Sequence, residues 1–112
     1  MIPNPAIKAE LDDLLLPPPG VTAGQMFGLP AYYAGGKLFA CVYGDGVGVK
    51  VPAPLAQALL ARNDVIPFQP MGRPKMREWV RINRAVPSDY RLDLETFEAA
   101  LDFAGGPARA GC

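Results

Sequence analysis

The sequence predicts an α+β domain: two layers, a mostly antiparallel sheet with helices on one face. Three observations predict it. Between Gln25 and Val51 the apolar runs are cut by Gly35-Gly36 and by Gly44-Asp45-Gly46, the pattern of an antiparallel meander. An apolar stripe at helical spacing stands near each end of the chain: Ile7, Leu11, Leu14 and Leu15, then Tyr90, Leu94, Phe97 and Leu101. Proline and glycine punctuate the segments between. The predicted order is α-β-β-β-α-β-β-α.

Asn4 is a good N-cap, and Pro5 fits the first helical position because its missing N–H would have had no helical partner. Pro17-Pro18-Pro19-Gly20 ends that helix. The first strand lies within residues 21–28 and the second spans 29–34. The third spans 37–43, with Phe39, Cys41 and Tyr43 on one face and Leu38, Ala40 and Val42 on the other. Both faces being apolar, this strand is expected in the middle of the sheet and covered on both sides. Val47, Val49 and Val51 then alternate with Gly48 and Lys50. A short helix over 52–62 turns Leu55, Ala58 and Leu59 inward. Residues 65–70 are extended, and their prolines suit a sheet edge. The last strand runs over 75–82, and a C-terminal helix begins between Ser88 and Asp93 and stops at Gly105-Gly106-Pro107. The domain is read as residues 1–105, with 106–112 as a disordered tail.

Composition narrows the function classes. A chain of 112 residues can bury roughly two thirds of its unfolded surface, enough for one core without staples. Eleven basic residues balance eleven acidic ones, so no global charge draws the chain to nucleic acid or to an anionic membrane. The absence of histidine removes Ser-His-Asp and Cys-His catalysis and histidine metal sites from this chain. The two cysteines, Cys41 and Cys112, read as free thiols in a reducing cytoplasm, with Cys41 an inert buried one. No signal peptide is visible, and no apolar run approaches the ~20 residues of a membrane span. No cofactor or metal is expected.

Three segments in order resemble the N-terminal domain of the TfoX/Sxy family. They are Met26-Phe27-Gly28-Leu29-Pro30 with Gly36-Lys37-Leu38-Phe39-Ala40; Val49-Lys50-Val51-Pro52; and Pro67-Phe68-Gln69-Pro70-Met71-Gly72-Arg73-Pro74 leading to Met76-Arg77-Glu78-Trp79-Val80. The resemblance covers residues 11–103. Lys75 stands as one extra residue against the family pattern and is expected to lengthen the turn or form a bulge. The family's competence regulators carry a second, C-terminal domain for which this chain is too short. The resemblance therefore implies the fold more strongly than competence regulation. It also implies a likeness to secretion-chaperone-like folds, which are commonly dimeric and non-catalytic.

The best candidate constellation is the stretch from Arg73 to Arg81. On strand spacing Met76, Glu78, Val80 and Ile82 share one face, and Arg77, Trp79 and Arg81 the other. If Trp79 faces the core, two arginines flank it. If Val80 and Ile82 do, Glu78 joins them and needs a cationic partner such as Lys50. The binding candidates are Lys50, Arg73, Lys75, Arg77, Glu78, Trp79 and Arg81. Gly44-Asp45-Gly46-Val47-Gly48 leads into a strand, so it reads as a hairpin turn and not as a phosphate loop. Asp12, Asp13, Asp93, Glu95, Glu98 and Asp102 read as solvated helix faces.

Three functions compete. The first is a non-enzymatic protein-binding module, regulatory or accessory, homodimeric because a second copy would cover the apolar sheet face left bare by the helices. The second is a small-ligand binder or enzyme with a pocket near Lys50, Glu78 and Arg73. The third is nucleic-acid binding through Arg73, Lys75, Arg77, Arg81 and Arg84, which the neutral net charge disfavours.

Overall fold

The computed structural model describes residues 2–17, 20–26, 28–70 and 76–105. Phe27, Arg73, Lys75, Cys112 and the tail therefore lie outside the described residues. Helix α1 spans Pro5–Leu15 and begins as its sequence dictates. The Asn4 side chain accepts from the Ala6 N–H at 2.9 Å. Its amide donates to Asp45 at 3.1 Å and its backbone N–H to the Gly44 carbonyl at 3.0 Å, so the cap also ties α1 to a strand turn.

The strands are β1 (Val21–Met26), β2 (Leu29–Ala34), β3 (Lys37–Tyr43), β4 (Gly46–Lys50), β5 (Val65–Pro67) and β6 (Trp79–Ile82). They form one antiparallel sheet in the order β1-β2-β3-β4-β6-β5. Gly35 and Gly36, with φ of 58° and 80°, make the tight β2–β3 turn that side chains would resist. After β4 the chain runs through α2 (Ala53–Leu59), then passes to the far edge as β5 before returning as β6. The edge place suits β5, which is three residues long and ends on Pro67. A 3-10 helix (Pro87–Asp93) leads into α3 (Leu94–Gly105).

The main core lies between the helices and one sheet face. Ile7, Leu11 and Leu15 of α1 meet Tyr32, Val42, Val49, Val80 and Ile82 of the sheet and Tyr90, Phe97 and Leu101 of the C-terminal helices. Fully burying side chains of this size stabilises by about 1.5–3 kcal/mol each. No helix among the described residues is long and apolar enough to cross a membrane.

Several expectations need correction. The alternation along β3 is broken. Pairing shifts between Tyr32, opposite Ala40, and Tyr33, opposite Leu38, so Phe39 is the extra residue of a bulge. Phe39 thereby joins Ala40 and Val42 in the main core, and Leu38 joins Cys41 on the other face. In α2 Leu55 and Leu59 do turn toward the core, but Ala56 joins them there and Ala58 is exposed. Leu94 is 43% exposed, and Ala100 and Ala104 complete the inner stripe of α3 in its place. Asp93 is not solvated but buried between two arginines, and Asp12, though still partly exposed, accepts from the Tyr32 hydroxyl at 2.6 Å. Burial alone would raise the Asp12 pKa, but the Lys8 and Tyr32 hydrogen bonds outweigh it and hold the carboxyl below its ordinary value.

Cys41 is fully buried, and burial pushes its thiol pKa up to about 12. A Cys112→Ser variant should therefore show no thiol reactive to Ellman's reagent when native and one after denaturation. Rapid native labelling of Cys41 would contradict this packing.

Candidate functional site

The sheet face away from the helices carries a second, smaller apolar cluster: Ala31, Cys41 and Phe68, with Met26, Tyr33, Leu38, Tyr43, Met76 and Trp79 against it. The chain fills much of this face itself. Phe68, just past β5, lays its ring across β4 over Gly48. A Cβ there would sit 2.9 Å from two atoms of that ring. The Tyr43 and Phe68 rings meet edge-on at 5.3 Å, and Phe68 and Trp79 at 5.4 Å. The Arg81 guanidinium lies 5.3 Å from the Tyr43 ring centroid and donates to Asn83 at 2.9 Å.

Trp79 ends this row and begins a groove. Register places it opposite Lys50, on the open face. The Val51 N–H donates to the Glu78 carbonyl at 2.9 Å, and the Trp79 N–H to the Met76 carbonyl at 3.2 Å. These bonds fix residues 76–79 as a turn feeding β6. The strand thus begins at Trp79 and not at 75, which resolves the awkward alternation. Val80 and Ile82 face the core, Trp79 and Arg81 face away, and Glu78 sits in the turn outside the strand pattern.

A hollow of ≈ 480 Å³ is lined by Lys50, Ala53, Met76, Arg77, Glu78 and Trp79. A second, of ≈ 630 Å³, is lined by Ala53, Pro54, Gln57, Leu60, Pro67, Met76, Arg77 and Trp79. Their shared walls, Ala53, Met76, Arg77 and Trp79, make them two ends of one groove between α2 and the turn. Trp79 is half-buried, its ring packed on Phe68 on the inner side. Lys50, Arg77 and Glu78 form no ion pair among the described residues. The Lys50 ammonium is 5.9 Å from the Phe103 ring centroid.

The structure thus brings together Lys50, Arg77, Glu78 and Trp79. Arg81 shares their sheet face but is engaged by Tyr43 and Asn83. Arg84 turns away to a buried carboxylate, with two bonds to Asp93 at 2.8 and 2.9 Å. Of the basic residues read between Arg73 and Arg84, Arg81 and Arg84 are thus engaged within the chain, and Arg73 and Lys75 lie outside the described residues. Met76, Pro54, Leu60 and Pro67 also line the groove, and no local pattern marks them as lining residues. A glycine inside an apolar strand, Gly48, was the available sign of a ring crossing nearby. Among the described residues no three acidic or thiol groups cluster as metal ligands would. The groove offers an aromatic and thioether floor with cations and one carboxylate at its rim. It can hold an extended segment by apolar contact and orient it by charge.

A family description, the TfoX N-terminal domain, matches residues 13–104. No curated protein and no solved structure matches the chain.

Proposed function

We propose that this chain, which belongs to the TfoX N-terminal domain family, is a non-enzymatic protein-binding module whose contact surface is the Trp79 groove. The observation that carries the reading is the combination at one place of a half-buried indole, a methionine and three charged groups that form no ion pair among the described residues. Interface anchors have this composition: aromatic and Met surfaces that lose water on binding, with arginine beside them. The family is not a known enzyme family, and the groove's polar groups form no nucleophile–base pair. We place the module in the cytoplasm, in a regulatory or accessory role connected with transcription or competence.

The test begins with capture of a partner from the source cell by the wild-type chain, its identification by mass, and titration with purified components. Trp79 is the only tryptophan, so its fluorescence reports groove occupancy directly. Trp79→Ala should weaken binding by at least about 30-fold, the scale of an interface hot spot. Because Trp79 also packs on Phe68, Arg77→Glu provides the cleaner variant. Arg77 is exposed, so its change should leave stability within about 0.5 kcal/mol while weakening binding. A partner that binds both variants as tightly as wild type would refute the groove. A small molecule released stoichiometrically on denaturation would assign the hollow to a ligand instead.

A further inference from the structure

The two edges of the sheet are built differently. The β5 edge is three residues long and ends on Pro67, and both features discourage pairing with another chain. The β1 edge is a regular six-residue strand, Val-Thr-Ala-Gly-Gln-Met, without a charge, proline or bulge. Its middle residues, Thr22, Ala23, Gly24 and Gln25, are exposed on both sheet faces, so the strand projects beyond the layer of helices. The Tyr33 ring lies 3.1 Å from where a Gly24 Cβ would be, and its hydroxyl donates to the Gln25 carbonyl at 2.9 Å. An uncharged, regular strand that ends the sheet among the described residues is the kind of edge that proteins normally guard when no partner covers it.

We infer that β1 is covered by β1 of a second copy, the two chains pairing antiparallel about a two-fold axis to make one continuous sheet. The absence of charge makes the edge complementary to itself: a two-fold pairing sets each residue against the same few residues, and charged ones would repel. Symmetry limits the register. Along a strand, backbone groups point alternately toward and away from the new neighbour, so opposed residues must be an even number apart in sequence. The axis therefore passes at Ala23, opposite itself, or at Gly24, opposite itself. Strands β2, β3 and β4 separate β1 from β6, so such a dimer leaves both Trp79 grooves open. At about 4.8 Å per strand the two grooves would stand roughly 40 Å apart, a spacing suited to a partner with two binding segments. This inference does not depend on the groove being a binding site.

A pairing of six residues lies at the small end of interfaces, so association should depend on concentration. Sedimentation equilibrium from roughly 10 µM to roughly 1 mM should show the mass rising from the 12.0 kDa of one chain to twice that value. Ala23→Lys, at an exposed position, should raise the dissociation constant at least about tenfold with the fold intact by circular dichroism. Ile66→Lys, on β5 at the opposite edge, should leave it unchanged. Amide exchange of the unaltered protein supplies a reading that needs no variant: β1 amides should gain protection with concentration while β5 amides do not. A monomer throughout the range, a dimer indifferent to Ala23→Lys, or one broken by Ile66→Lys would each overturn the inference.

Discussion

Replacing Gly48 by valine should cost at least about 3 kcal/mol and lower the melting temperature by roughly 10 °C or more. In a central strand the opposite result is the ordinary expectation, since glycine weakens a strand by about 0.5–1 kcal/mol relative to a residue with a side chain. The site decides otherwise. A Cβ at Gly48 would lie 2.9 Å from two ring atoms of Phe68 and 3.1 Å from the Cys41 sulfur. A ring at the end of a side chain can often swing aside, but Phe68 is 1% exposed and has Tyr43 and Trp79 against it. The new side chain must therefore expel the ring or force the strand outward, and loss of a buried Phe is worth about 3–5 kcal/mol. The cause can be isolated with a double-mutant cycle. In a Phe68→Ala background the same glycine substitution should cost much less, because the nearer obstacle is gone and only the Cys41 sulfur must give way. Thermal and urea unfolding of the four proteins would measure the coupling. A stable Gly48→Val protein in the wild-type background would show that Phe68 is not held where the structure places it.

What the sequence made legible was local. Gly35-Gly36 and Gly44-Asp45-Gly46 are turn chemistry read within a few residues, and they placed β2, β3 and β4 correctly. Asn4-Pro5 placed the start of α1 for the same reason. Most of the misreadings depend on partners distant in sequence. The bulge at Phe39 is set by how β3 registers on β2, and strict alternation along β3 cannot reveal it. Phe68 was legible as extended but not as the residue that crosses back over β4. The faces of Val80 and Trp79 could not be chosen because the alternation was carried back through 76–78, where the chain turns. Of the candidate site, Lys50, Arg77, Glu78 and Trp79 were named from sequence and do converge. The apolar half of the groove comes from α2 and β5, which no local pattern connects to Trp79. Asp93 reads as solvated because a carboxylate at the start of a helix usually is, and its partners Arg62 and Arg84 are 31 and 9 residues away.

That carboxylate carries the other large effect. Asp93→Ala should destabilise by about 3–5 kcal/mol, the cost of breaking a buried ion pair from one side, whereas a solvated Asp would cost under about 0.5 kcal/mol. The Asp93 side chain is 1% exposed and accepts three charge-assisted bonds: a fork from Arg84 at 2.9 and 2.8 Å and one from Arg62 at 3.0 Å. Arg62 in turn forks onto Asp64 at 2.9 and 2.7 Å. Beside them the Tyr90 hydroxyl donates to the Ile82 carbonyl at 2.9 Å and accepts from the Arg84 N–H at 3.2 Å. The network joins the end of α2, the approach to β5, the end of β6 and the entry to α3. Without Asp93, two partly buried guanidiniums would face each other with only Asp64 between them, so the junction of α3 with the β5–β6 edge should loosen first. Amide exchange should accordingly speed up at 82–94 before it does in β2 and β3. Acid should act on the same junction. The Arg62 hydrogen bond, with lesser help from nearby charge, holds the Asp64 carboxyl below its ordinary value of 3.8. A carboxylate depressed in the folded state stabilises fully above its unfolded pKa and loses that contribution as pH falls through the folded one. Melting temperature should thus decline below about pH 4, less steeply in Asp64→Asn than in wild type. If Asp93→Ala melts within a degree or two of wild type at pH 7, the arginines do not depend on it and the junction is held by packing alone.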